Sequence, residues 1–197
     1  MSSPTDAPNK SDPGDQVIRK FRYQHAYGVI VAVMMITKGR PYRAIWCEQH
    51  EDLLAEREDE KFDAIQVKTK KSETGAWLIS DEAFVKSLKR FLQLHRDFPG
   101  KINRFYFVTN TEFSDSDDKR SIHLSPLKLL REVGKNSSVA GLDSNATKGF
   151  NKLVELLNCD QVNLFSILKR LDLVNGPTER AFEDEICHSH LPLLAEC

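Results

Sequence analysis

Apolar and polar positions alternate between two periods along this chain. From Val17 to Thr37, Phe21, Tyr27 and the apolar run from Ala26 to Ile36 recur as a buried helix would require, and Gly39 and Pro41 then end it. Tyr42 to Cys47 is aromatic and β-branched enough for a strand, and Glu51 to Glu56 reads as its continuation or partner. Phe62 to Lys70 has the period of two expected of a strand, which places Ala64, Gln66, Lys68 and Lys70 on one exposed face and turns Ile65 and Val67 into a core. The helical period returns after Ser80 or Asp81, a capping pair, with Phe84, Leu88, Phe91 and Leu92.

Pro99-Gly100 breaks the chain, and Arg104 to Thr109 is mostly apolar, the pattern of a buried strand. Ser125-Pro126 predicts a helix start carrying Leu127, Leu129, Leu130 and Val133. Gly134 to Gly149, rich in Ser, Asn and Gly, predicts a mobile connection, and Phe150 to Leu157 and Val162 to Leu171 have helical spacing. The resulting division is a flexible tail at 1–15, a core at 16–133, a connection at 134–149 and a helical appendage at 150–197.

Composition narrows the function without naming it. Lys plus Arg number 28 and Asp plus Glu 29, so no global positive field draws in nucleic acid and any such binding must come from a local patch. Candidates are Lys70 and Lys71 after the third strand, and Lys86, Lys89 and Arg90 on the polar face of the following helix. The four cysteines form no CxxC pair and no secretory framework, which points to a reduced cytoplasm. The apolar run at 26–36 is too short to cross a bilayer. His188, His190, Cys187 and Cys197 lack the paired spacing of a zinc site.

The stretch from Cys47 to Lys70 holds the candidate chemistry. If Asp52 approaches Gln66 and Lys68 from a neighbouring strand, an acid, a neutral oxygen and an ammonium meet at one place. Magnesium and manganese take oxygen ligands, and a protein supplies only one or two carboxylates, leaving the rest to water and substrate phosphate. Asp52 and Gln66 are therefore candidate ligands of Mg²⁺ or Mn²⁺, and Lys68 would offset charge that grows on a phosphate in the transition state. Glu48 is either a further ligand or a solvated strand-edge residue, because a bulge in the cluster Glu48-Gln49-His50-Glu51-Asp52 would break strict alternation. Gln24, near the start of the first helix, either completes the site or bonds backbone at the helix end.

Asp52 with Gln66-x-Lys68 resembles the Asp…(Asp/Glu/Gln)-x-Lys arrangement of the restriction-endonuclease-like nucleases. With Tyr23-Gln24 and Glu48-x-x-x-Asp52, the chain is similar to the N-terminal nuclease domain of the double-stranded DNA endonucleases of bacterial anti-phage CBASS systems, over roughly 17–110. That resemblance implies an α/β fold, a mixed sheet in αβββαβ order with the helical appendage following it. It also implies a metal-dependent endonuclease acting on double-stranded DNA, switched on by a SAVED-type domain that senses a cyclic oligonucleotide and lies outside this chain, with dimers or higher assemblies on activation. Gln66 in place of an acid leaves a second reading open, a nuclease-like module that binds nucleic acid or a partner protein without cutting.

Overall fold

A computed structural model of the 197-residue chain describes residues 13–48, 51–116, 118, 120–178 and 181–196. Of the expected tail, residues 1–12 lie outside these, as does His50 of the charged cluster, and helix α1 spans Pro13–Ile36. Strands β1 (Tyr42–Cys47), β2 (Leu53–Arg57) and β3 (Phe62–Lys68) follow, then helix α2 (Glu82–Asp97) and strand β4 (Ile102–Thr109). The αβββαβ order expected from the sequence is thus present, within an α/β fold built on a five-stranded mixed sheet.

The strands lie in the order β1-β2-β3-β4-β5, antiparallel between β1, β2 and β3 and parallel from β3 through β5 (Leu171–Asn175). Helix α2 makes the β3-to-β4 crossover, and α3 (Pro126–Lys135), α4 (Ser144–Leu157) and α5 (Gln161–Leu168) make the next one. Two successive crossovers in the same direction, each right-handed, place their helices on the same side of the sheet. Accordingly Phe84, Leu88 and Phe91 of α2, Phe105 and Phe107 of β4, Phe150 and Leu153 of α4, and Leu164 and Ile167 of α5 share one core. A second core lies on the opposite side, where Tyr23, Ile30 and Val31 of α1 cover Leu53, Ala55, Ile65, Val67 and Val108.

Three sequence expectations change here. The segment at 150–197 is not purely helical: α4 and α5 pack into the main core, and Leu171, expected to end a helix, begins β5. Asp143 starts α4 within the expected connection, its carboxylate accepting from the Asn145 and Ala146 amides. The face of β3 carrying Ala64 and Gln66 is also buried, because α2 covers it as α1 covers the other. A strand with helices on both faces can carry a polar residue inward only where a particular contact offsets its dehydration.

Candidate active site

The site lies where β2 begins and β3 ends, which the antiparallel register of these strands brings together. Glu51 and Asp52 occupy the bend before β2, and both are buried. Asp52 Oδ2 accepts from the Val67 backbone N–H at 2.7 Å and from Lys68 Nζ at 2.9 Å. Lys68 Nζ also donates to the Val67 carbonyl at 3.3 Å. From α1, Gln24 Nε2 reaches that same carbonyl at 3.5 Å, so Gln24 does converge on the candidate site. Gln66 is fully buried beneath α2, with Ser87 Oγ at 3.4 Å from its amide.

Glu51 is the residue that sequence reasoning passed over. Its side chain is 1% exposed, and neither carboxylate oxygen has a hydrogen-bond partner among the described residues. The Arg90 guanidinium stands 3.6 Å away, too far for a hydrogen bond but close enough for an ion pair. Burial pushes the Glu51 carboxyl up to about 8; Arg90, Lys68 and the nearby Gln66 amide pull it down, while the charge of Asp52 adds to the rise. A buried carboxyl without hydrogen-bond partners is costly to ionise, and such groups gather at sites that bind a cation or move a proton. The available signal was its position: an acid immediately before the apolar entry Leu53-Leu54-Ala55 to a buried strand is hard to solvate. Strict alternation concealed it, because the bend at 51–52 turns Glu51 toward α2.

The remaining predicted residues fall into two groups. Glu48 is exposed on the turn between β1 and β2, with a left-handed φ of 56° and its N–H donating to the Asp52 carbonyl. Lys70 is held inside the structure: its ammonium donates to Asp81 Oδ2 at 2.8 Å and to the Ala76 carbonyl at 3.1 Å, and lies 5.0 Å from the Trp77 ring centre. Asp81, at the N-cap of α2, directs its carboxylate to Lys70 and the Leu78 N–H instead of capping the helix. Lys71, Lys86, Lys89 and Arg90 are exposed, with Lys86 paired to Glu82 at 2.6 Å and Arg90 to Glu51. Arg90 and Ser87 come from successive parts of α2, so that helix borders the site and presents its cationic face beside it.

The donor set suits a hard divalent cation. Glu51, Asp52 and the Gln66 amide can each offer oxygen, the ligand type magnesium and manganese prefer, and the two Glu51 oxygens have no protein donor within hydrogen-bond distance. No group of three or more His, Cys, Asp or Glu is gathered for a metal among the described residues. Two carboxylates are nevertheless the usual protein share for magnesium. The neutral Gln66 is thus accompanied by a second acid from position 51.

No curated protein shows a significant match to the chain. Two solved structures share its fold at 14% identity each. One is the Moraxella osloensis Cap4 SAVED/CARF-domain containing receptor, with a TM-score of 0.51 over 90% of this chain and 38% of that one. The other is the Acinetobacter baumannii Cap4 SAVED/CARF-domain containing receptor with the cyclic trinucleotide 2'3'3'-cAAA, with a TM-score of 0.53 over 89% of this chain and 36% of that one. This chain therefore spans well under half the length of either. The family model described as "Cap4, dsDNA endonuclease domain" matches residues 12–195, nearly the whole chain, and the chain belongs to that family.

Proposed function

We propose that the chain is a metal-dependent endonuclease that hydrolyses double-stranded DNA as the effector of an anti-phage CBASS defence protein. The observation that carries this reading is the convergence of Glu51, Asp52, Gln66 and Lys68 where β2 meets β3. A divalent cation held by Glu51, Asp52 and Gln66 would polarise the scissile phosphate and activate the attacking water. Asp52 fixes the Lys68 ammonium by accepting from it, so the positive charge is in place before the substrate arrives. Lys68 then stabilises negative charge as it grows on the phosphate oxygens. Gln24, by donating to the Val67 carbonyl, steadies the backbone between Gln66 and Lys68. Lys71, Lys86, Lys89 and Arg90 supply phosphate contacts along the border of the site.

The presence of Glu51 favours catalysis over a binding-only module, since a domain that merely docks gains nothing from a buried, unbonded carboxylate beside Gln66-x-Lys68. Control by a cyclic-oligonucleotide sensor is proposed from the SAVED/CARF receptors that share the fold. A two-fold dimer formed on activation would set two sites against the two strands of a duplex. Cytoplasmic residence belongs to the same proposal, supported by the substrate it names and by the free thiols of Cys47, Cys159 and Cys187. The test is incubation of plasmid DNA with Mg²⁺ or Mn²⁺, with and without chelator, alongside the Asp52→Ala variant. Cleavage that chelator and Asp52→Ala both abolish is expected; cleavage indifferent to chelator would remove the metal, and DNA binding without cleavage would leave the docking module.

A further inference from the structure

The contact between Ser87 and Gln66 contains a conflict of hydrogen-bond roles whose resolution gives Ser87 a task. Ser87 is buried on the inner face of α2, where its hydroxyl lies 2.9 Å from the Ala83 carbonyl and 3.4 Å from Gln66 Oε1. A hydroxyl has one proton to donate and lone pairs with which to accept. Both groups facing it here are acceptors, and the shorter contact takes the proton. The hydroxyl then turns lone pairs toward Gln66 Oε1, while Gln66 Nε2, buried and with no acceptor within hydrogen-bond distance, stands on the side of the Glu51 carboxylate. With a cation held beside Glu51, exchanging the two ends of the amide would satisfy both: Nε2 would donate to Ser87 Oγ, and Oε1 would turn from the helix toward that cation, in place of the present approach of Nε2 to the Glu51 carboxylate.

We propose that Ser87 is a positioning residue that locks the Gln66 amide with its nitrogen on α2 and its oxygen toward the cation site. This rests on the metal-dependent reading above. An amide is a useful ligand only through its oxygen, and nothing intrinsic to glutamine distinguishes its ends. An acid at that position would need no such device, so the serine is the counterpart of having glutamine there. In Ser87→Ala, the cation-binding orientation would leave Nε2 buried without a partner, and cation affinity should fall about tenfold, as for removal of other residues that orient a metal ligand.

The test is Mn²⁺ binding to the full chain, measured by titration calorimetry without DNA, for wild type, Ser87→Ala, Gln66→Glu and the double variant. A carboxylate has oxygen at both ends and needs no orienting. Ser87→Ala is therefore expected to lower affinity about tenfold beside Gln66 and less than about twofold in the Gln66→Glu background. A serine that merely packs α2 would give equal losses in both backgrounds, and that result, or no loss in either, overturns the proposal. Failure of the wild type to bind Mn²⁺ overturns the metal-dependent reading itself, and this proposal with it. If Ser87→Ala fails to fold, Ser87→Cys gives the same comparison, since sulfur is close in shape and a poor acceptor.

Discussion

Lys68 Nζ donates to Asp52 Oδ2 at 2.9 Å, and the same oxygen takes the N–H of Val67, the residue just before that lysine. One carboxylate oxygen thus pins both the backbone and the ammonium at the end of β3. The lysine keeps a quarter of its side chain in solvent, whereas Asp52 is nearly enclosed, so the cation is presented outward by an acid that faces in.

Lys68→Ala should lower plasmid cleavage roughly a hundredfold or more, about 3 kcal/mol, as loss of a single transition-state-stabilising group does elsewhere. DNA affinity should change little, because the remaining cations hold the backbone. Single-turnover cleavage and a binding isotherm separate the two effects. Proportionate losses in both would make Lys68 an ordinary phosphate contact.

Lys70 and Lys89 should behave differently despite carrying the same charge. Lys70→Ala breaks the pair with Asp81 and the contact with Trp77, so it should destabilise the fold by about 1–2 kcal/mol while leaving the salt dependence of DNA binding nearly unchanged. Exposed Lys89→Ala should leave stability alone and reduce the salt slope by about one unit. Denaturant titration and binding across a salt series check both halves.

Glu51→Gln should make the protein more stable and less active. It removes a buried acid that folding must either protonate or leave ionised without hydrogen bonds, which should raise cation-free unfolding stability near neutral pH by about 1–2 kcal/mol, and it removes an anionic cation ligand, so cleavage should collapse. Chemical denaturation in chelator, set beside cleavage in Mg²⁺, reads this trade. A destabilised variant would mean that Arg90 offsets the burial of Glu51 fully.

His95 sets a pH dependence away from the site. Its Nδ1 faces Arg170 Nη2 at 3.1 Å, and burial, with that guanidinium beside it, holds the imidazole below its ordinary range. The unfolded chain therefore binds the proton more readily, and the stability contributed by neutral His95 is present above about pH 6.5 and declines as pH falls toward the folded value. Denaturant midpoints at successive pH values should show a smaller acid loss in His95→Asn than in the wild type.

Leu164→Ala should cost about 2–5 kcal/mol and lower the midpoint of one shared unfolding transition, because Leu164 is fully buried in the core that also holds Phe84 and Phe105. Two separate transitions, by fluorescence and far-ultraviolet dichroism, would restore the C-terminal helices to the status of an appendage.

Much of the frame was legible in residue order. The helical period of Phe84, Leu88 and Phe91, the apolar β4 and the αβββαβ succession are local patterns, each carried by a few neighbouring residues. Asp52 and Lys68 could be paired on paper because a hairpin brings their positions together whatever covers it. Strand β5 was hidden, since Leu171 to Asn175 follows the leucines of α5 without a break in apolar spacing, and its strand identity depends on β4 offering an edge.

What only the tertiary structure decided was the covering of the faces. Gln66 alternates with Ile65 as an exposed residue would, and α2, distant from it in sequence, buries it. The same helix brings Arg90 to Glu51 and Ser87 to Gln66, while Asp81, leading into it, takes Lys70. Charge, amide and hydroxyl are written in the sequence. Whether each meets water, a partner or nothing depends on which element folds over it, and that is a property of long-range packing that no local period contains.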